Sequence, residues 1–189
     1  MEEHIELSAE RALWLLSPRL VVLVTTMNKE GKVNAAPYSF IGPLSIDPPL
    51  CYVSVGKQNK DTEAFAREMK QFVINLVSAD FAQKAINCEA KLPRGENELQ
   101  KFGLHMRASK HVVVPSVKEA PATIECSLNE IIDPKDSDHV LLIGRVLGGT
   151  CKFMRKPNKP DLDAINPVMH VAKGHFRKVG PRIDLERNK

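Results

Sequence analysis

Few side chains in this 189-residue chain carry obvious chemistry, and they are scattered. The four cysteines, Cys51, Cys88, Cys126 and Cys151, form no CxxC pair and show no metal-ligand spacing, which reads as reduced, mostly buried thiols. His170 and His175 are five apart; on one strand that spacing sends them to opposite faces, so a shared metal is not expected. The glycines fit neither GxGxxG nor GxxxxGK(S/T), there is no HExxH, and no Ser or Cys sits in a nucleophile elbow. With those chemistries unsupported, a bound organic cofactor is the natural route to catalysis. The stretch Asn34-Ala35-Ala36-Pro37-Tyr38-Ser39-Phe40 is the best candidate to hold one. It sets small residues among two aromatics and leads into Ser45-Ile46-Asp47-Pro48-Pro49.

The elements that must position this stretch are short. Residues 8–16 suit a helix capped by Ser8, with Ala12, Leu15 and Leu16 on one face. Residues 20–26, β-branched and free of charge, suit a strand covered on both sides, and residues 27–32, with Asn28 and Gly31, suit a hairpin turn. The return strand starts at Val33, and Pro37, which has no N–H, is expected to interrupt its ladder. Residues 50–55 form a second strand. A helix follows, capped by Asp61 or Thr62, with Phe65 and Met69 on one face. Residues 71–77 are a third strand with Asn75 inside an apolar run, and residues 79–87 and 96–102 read as helical. In residues 122–129 the even positions are apolar and the odd ones polar, the pattern of a strand with one wet face. Residues 130–132 break the phase, which suggests a bulge or bend. Residues 133–138 are a turn, 139–147 a return strand and 168–179 a final strand. Short strands joined by hairpins, with helices inserted, predict a mainly β fold: a closed or partly closed antiparallel barrel in one domain spanning 1–189.

Composition adds limits. The chain holds 43% hydrophobic and 26% charged residues, an ordinary globular balance. No apolar run has the length of a membrane span, and the start Met1-Glu2-Glu3-His4 is acidic where a signal peptide is basic, so a cytoplasmic protein without membrane contact is expected. A net charge of +4 from 27 basic and 23 acidic residues is too slight to argue for nucleic acid and suits a phosphorylated small molecule as well. The basic run 152–159, beside Pro157, Pro160 and Pro167, reads as a solvated loop.

The order of these segments carries a resemblance. Residues 21–26, the turn with Gly31, Asn34 to Phe40, Ser45-Ile46-Asp47-Pro48-Pro49-Leu50, Lys60-Asp61-Thr62, Phe72-Val73-Ile74-Asn75-Leu76, Glu98-Leu99-Gln100-Lys101-Phe102 and Gly174-His175-Phe176-Arg177 together resemble the flavin reductase-like, FMN-binding split-barrel family, and within it the flavoredoxin-like branch. The likeness runs from about residue 18 to 177. It implies a six-stranded Greek-key split barrel, a homodimer with FMN near the interface, and electron transfer from NADH or NADPH through flavin to free flavin, a ferric complex or a redox partner. The alternative within the same fold is an FMN-binding electron carrier without nicotinamide activity of its own.

The resemblance implies a set of cofactor-binding residues. Asn34, Ala35, Ala36, Pro37, Tyr38, Ser39 and Phe40 would line the flavin ring, with Ala35, Ala36 and Ser39 allowing close backbone approach and Tyr38 or Phe40 walling it. The helix start at Thr62, with its hydroxyl, and Lys57 or Lys60 suit the phosphate, while Asp61 is expected to turn away. Ser45 and Lys101 are further phosphate candidates by family position. Asn75 touches either the ribityl chain or only neighbouring backbone. His175 stands where the family often carries an aromatic or histidine near the active face and is the one weak catalytic candidate. Arg145 and Arg177 are candidates for an NADPH phosphate.

Overall fold

The computed structural model describes residues 4–58, 60–92, 96–156 and 159–185. Helix α1 (Ala9–Leu13) is capped by Ser8, whose Oγ accepts from the Arg11 N–H, and runs into a 3-10 turn at Trp14–Leu16. No residue of α1 or that turn is buried, so the expected apolar face stays exposed among the described residues. The strands that follow are β1 (Arg19–Leu20), β2 (Val22–Met27), β3 (Val33–Tyr38), β4 (Ile41–Ser45) and β5 (Leu50–Gly56). Then come α2 (Lys60–Met69), β6 (Gln71–Leu76), α3 (Ala82–Asn87), α4 (Glu98–Lys101), β7 (Met106–Arg107) and β8 (Ser116–Val117). The chain continues through β9 (Ala122–Ile132), β10 (His139–Cys151), β11 (Met154–Lys156), β12 (Lys159–Pro160), α5 (Leu162–Ile165), β13 (Val168–Ala172) and β14 (His175–Lys178).

Seven strands make one antiparallel sheet in the order β3-β2-β6-β9-β10-β5-β4. Its two outermost strands, β3 and β4, are successive in the chain and separated only by Ser39 and Phe40. A flat sheet cannot satisfy that connection, so the sheet must curl until its edges meet. The Ser54 N–H donates to the Phe40 carbonyl at 2.8 Å and fastens the corner. Taken as one strand bent at Ser39–Phe40, β3 and β4 bring the barrel strands to six, as the resemblance implies.

Side-chain alternation then sorts the core. Val22, Val24, Tyr38, Val53, Val55, Phe72, Ile74, Cys126 and Leu142 fill the barrel with Ala66 of α2 at one end. Val21, Leu23, Val33, Ala35 and Val77 face the other way, under Phe81, Ala85, Cys88 and Leu99 of the α3–α4 region. β2 is therefore buried on both sides, as its unbroken apolar run predicts. The hairpin turn also forms as read: Asn28 Oδ1 accepts from the N–H groups of Glu30 and Lys32, and Gly31 sits at φ +82, where a side chain would be strained.

Two expectations need correction. β9 is wet only at one end of its polar side: Asn129 is exposed, but Glu125 and Thr123 are buried. The Glu125 carboxylate accepts from the backbone N–H groups of Lys110 and His111, and Thr123 bonds the Thr150 hydroxyl. The expected bulge is present beside Asn129, where the β9–β10 register shifts. The final segment is two strands rather than one, β13 turning at Lys173–Gly174 into β14, and β1, β13 and β14 form a small separate sheet. The basic run from Lys152 forms the β11–β12 hairpin, exposed as expected; residues 157 and 158 of it lie outside the described residues. No helix among the described residues is long and apolar enough to cross a membrane.

Candidate functional site

The outer edge of β3 is where backbone groups remain to be used. β3 pairs β2 in unbroken register from Met27↔Val33 to Leu23↔Pro37 and Val22↔Tyr38. Alternate residues of a strand send their N–H and C=O to the same side. The Val33 carbonyl accepts from Asn97 Nδ2 at 3.4 Å, and the Ala35 N–H donates to Glu98 Oε2 at 3.3 Å, so the outward set is Val33, Ala35 and Pro37. Pro37 thus stands where no ladder donor is required, and the ladder runs through it rather than stopping.

Two clefts adjoin along this edge. The larger, of about 520 Å³, is lined by Asn34, Ala36 and Pro37 of β3, by Gln58, Asp61 and Thr62 at the start of α2, and by Cys88–Leu92 and Glu98. The smaller, of about 260 Å³, is lined by Val21, Pro37, Tyr38, Ser39, Ile86, Glu89, His170, Lys173 and Phe176. Pro37 and Glu89 belong to both.

Thr62 is the knot between strand and helix. Its buried Oγ accepts from Asn34 Nδ2 and from the Tyr38 hydroxyl, each at 2.9 Å, which leaves its own O–H as the group it can still give. Asn34 Nδ2 also reaches Thr26 Oγ at 3.3 Å. Asp61 is among the residues that line the larger cleft, with Glu89 and Glu98. Burial pushes the Glu98 carboxyl above the usual carboxylate range, and nearby Asp61 adds to the shift. Burial, helped by Glu98, also pushes the Cys88 thiol up to about 12.

Residues 15–179 match the flavin reductase like domain. The chain belongs to the flavin reductase-like family. It is 32% identical to the uncharacterized protein YwrF of Bacillus subtilis, with 96% of each chain covered. Nitrilotriacetate monooxygenase component B from Bacillus cereus superposes with a TM-score of 0.86 at 29% identity, covering 98% of both chains. Flavoredoxin of Desulfovibrio vulgaris shares the fold, with a TM-score of 0.84 at 22% identity over 98% of this chain and 97% of that one. Membership gives the chain a flavin-related redox role.

Of the residues that the flavin reductase-like pattern singles out, the structure brings Asn34, Ala36, Pro37 and Thr62 to the larger cleft and Pro37, Tyr38 and Ser39 to the smaller. Ala35 is buried behind them with its N–H held by Glu98. Phe40 lies at the barrel corner, stacked on His139 with centroids 5.6 Å apart. Neither cleft is lined by Ser45, Lys57, Asn75, Lys101 or His175. Ser45 bonds the Pro48 carbonyl, Lys57 pairs with Asp133 at 2.8 Å, and Lys101 pairs with Glu96 at 3.1 Å. Asn75 is enclosed, giving Nδ2 to the Leu23 carbonyl and the Thr25 hydroxyl and taking the Val117 N–H on Oδ1. His175 is exposed on β14. The side chain of Lys60 lies outside the described residues. Sequence reading passed over Glu89 and Gln58, weighed His170 only as a metal ligand and Cys88 only as a buried thiol, and noted Glu98 only as part of a family segment. Their one signal is polarity beside an apolar run, which is too common to select them.

Proposed function

We propose that the larger cleft holds FMN and that the protein is an oxidoreductase passing electrons from NADH or NADPH through that flavin to an acceptor: free flavin, a ferric complex or a redox partner. The observation that carries this reading is the joining of β3's outward backbone edge to the first turn of α2 in one cleft. A flat heterocycle needs backbone donors and acceptors along one rim and small residues that permit close approach; β3 offers the Pro37 carbonyl beside Ala36. An anionic tail is favoured at the amino end of a helix, where amides lack partners, and the first turn of α2 opens there. The free O–H of Thr62 suits a phosphate oxygen. The carboxylates of Asp61, Glu89 and Glu98 oppose that tail, so Lys91 at the same wall matters for its retention.

Bound flavin would supply a centre able to take electrons in pairs and pass them on. The chain's part is to fix the ring against β3, exclude water at the side where the apolar wall of the adjoining smaller cleft, Val21, Ile86 and Phe176, meets it at Pro37, and hold donors towards the ring's polar rim. The reading as a homodimer, in the cytoplasm, rests on the family pattern and on the exposed run Leu13-Trp14-Leu15-Leu16, an apolar patch suited to a second copy.

Anaerobic mixing of the flavin-loaded protein with NADH and with NADPH tests the reading. Bleaching of the flavin absorbance by either one is expected. Loaded protein that neither nicotinamide bleaches would be an electron carrier instead, and protein that takes up no FMN would overturn the site.

A further inference from the structure

Glu98 stands in the wall of the larger cleft with one carboxyl oxygen committed and the other free. Its helix is tied down on three sides: Asn97 Oδ1 caps α4 by accepting from the Gln100 N–H at 3.2 Å, Asn97 Nδ2 reaches the Val33 carbonyl, and Leu99 is fully buried. That anchoring sets Glu98 against β3, where Oε2 accepts from the Ala35 N–H at 3.3 Å. Oε1 has no hydrogen-bond partner among the described residues and keeps some access to solvent. Glu98 therefore covers the one backbone donor that β3 offers beside Pro37, and its charge state decides what replaces that donor. A carboxylate offers the cleft acceptors alone, whereas a protonated carboxyl offers Oε1–H.

The charges around it favour the protonated form. Asp61 of α2, Cys88, Glu89 and Lys91 beyond α3, and Lys32 ahead of β3 surround Glu98, while Lys101 on its own helix is committed to Glu96 at 3.1 Å. Asp61, Glu89 and Glu98 thus face a single lysine, Lys91, in the cleft wall, and Cys88 stays a neutral thiol. Glu98 is the least exposed of the three acids. Burial and then Asp61 push its carboxyl up, against the pull of its own N–H, the Ala35 N–H and Lys32. A flavin phosphate adds about two more negative charges to this wall. Like charges brought together raise the proton affinity of a carboxyl, and the least solvated one takes the proton first.

We infer that FMN enters the larger cleft with the uptake of one proton at Glu98, which then holds the flavin as a neutral donor: Oε2 keeps the Ala35 N–H and Oε1–H is given to an acceptor atom of the flavin. This rests on the flavin reading of that cleft and deepens it. The proton comes from solvent, and no other bond or electron changes place. Because the bound state holds a proton that free Glu98 has released, FMN affinity falls as pH rises through the titration of free Glu98, and below that titration the dependence disappears. Retention of the cofactor is thereby coupled to pH through one side chain.

The test titrates FMN calorimetrically into flavin-free, full-length protein from about pH 5 to about pH 8. Paired buffers of different ionisation heat count the protons taken up. Wild type should take up close to one proton more than Glu98→Gln over part of that range, and its FMN affinity relative to that variant should fall by up to about tenfold per pH unit. The comparison cancels the second ionisation of the FMN phosphate, near about 6, which both proteins meet equally. Glu98→Gln keeps a neutral donor and an oxygen for the Ala35 N–H, so it should bind FMN at least as tightly as wild type at the alkaline end. Glu98→Ala has neither and should bind about tenfold more weakly than Glu98→Gln at every pH, each variant with an unchanged circular dichroism spectrum. Equal proton counts and parallel pH profiles for wild type and Glu98→Gln would overturn the inference and leave the flavin cleft standing, as would folded Glu98→Ala binding as tightly as Glu98→Gln. Protein that binds FMN in none of the three forms would overturn the flavin cleft and this inference with it.

Discussion

The Asn34 amide and the Thr62 hydroxyl meet 2.9 Å apart where β3 touches the first turn of α2, and Tyr38 places its own hydroxyl on the same oxygen. Strand and helix are fixed to each other at the point where the proposed cofactor would have to touch both. Thr62 is therefore structural whatever else it does. Thr62→Val takes from the Asn34 amide and the Tyr38 hydroxyl the enclosed acceptor that they share and should lower stability by about 1–3 kcal/mol, measured by urea unfolding. Thr62→Ser keeps the hydroxyl and should retain both stability and FMN. A Thr62→Val protein as stable as wild type would show that water replaces the lost acceptor.

Glu98 gives a pH signature. Its carboxyl titrates above the usual carboxylate range because it is buried, so in that window the folded protein holds a proton that the unfolded chain has released. Stability from this group therefore falls as pH rises from the ordinary carboxylate range through the raised value. Glu98→Gln keeps an oxygen for the Ala35 N–H and removes the titration. The melting temperature of the variant relative to wild type should rise with pH across that window; a constant difference would show that Glu98 is not perturbed.

Gly144 sits on β10 with the barrel interior pressed against it. A Cβ there would lie 2.4 Å from Phe72 Cζ and 3.0 Å from Cys126 Cβ, both in the core. Gly144→Ala should therefore destabilise the barrel by about 1–3 kcal/mol through overpacking, read as a lower urea midpoint. The companion change Phe72→Leu opens space beside it and should recover part of the loss; additive losses in the double variant would mean the two positions do not share that space.

Thiol reactivity follows burial and charge. Cys51, Cys88 and Cys126 are buried and Cys151 is half-exposed. With its thiol pushed up to about 12, Cys88 holds little thiolate at pH 8. A disulfide reagent at that pH should modify one cysteine of the native protein quickly, Cys151, and the other three only on unfolding. Fast labelling of Cys88 would show that the larger cleft opens to it.

Periodicity made much of this barrel legible. The apolar run of β2 announced burial on both faces, and Asn28 with Gly31 announced the turn. What failed did so for a common reason: a strand's polar positions do not say what covers them. Glu125 and Thr123 alternate like a solvent face, yet Glu125 takes its partners from the 107–117 segment and Thr123 takes its own from Thr150 of β10, each distant in sequence. Pro37 looked like a break because its parity is set by the neighbour of Ala35, and only the Ala35 to Glu98 contact reveals which way that parity points. Likewise, His170 became visible only when the turn at Lys173–Gly174 folded β14 back and Ser39 arrived beside it.

Asn75 separates support from binding. It lies fully enclosed between β2 and β8, with Nδ2 2.9 Å from the Leu23 carbonyl and 3.2 Å from Thr25 Oγ, and with Oδ1 2.7 Å from the Val117 N–H. Each of those partners has lost its access to water, so removing the amide strands a backbone donor in the interior. Asn75→Ala should therefore lower stability by about 1–3 kcal/mol for the unpaired group, plus the cavity left behind. Folded Asn75→Ala should still bind FMN with wild-type affinity, because no atom of Asn75 reaches either cleft. Fluorescence titration of FMN at a temperature where the variant is fully folded decides it: an affinity loss of tenfold or more there would return Asn75 to the cofactor site.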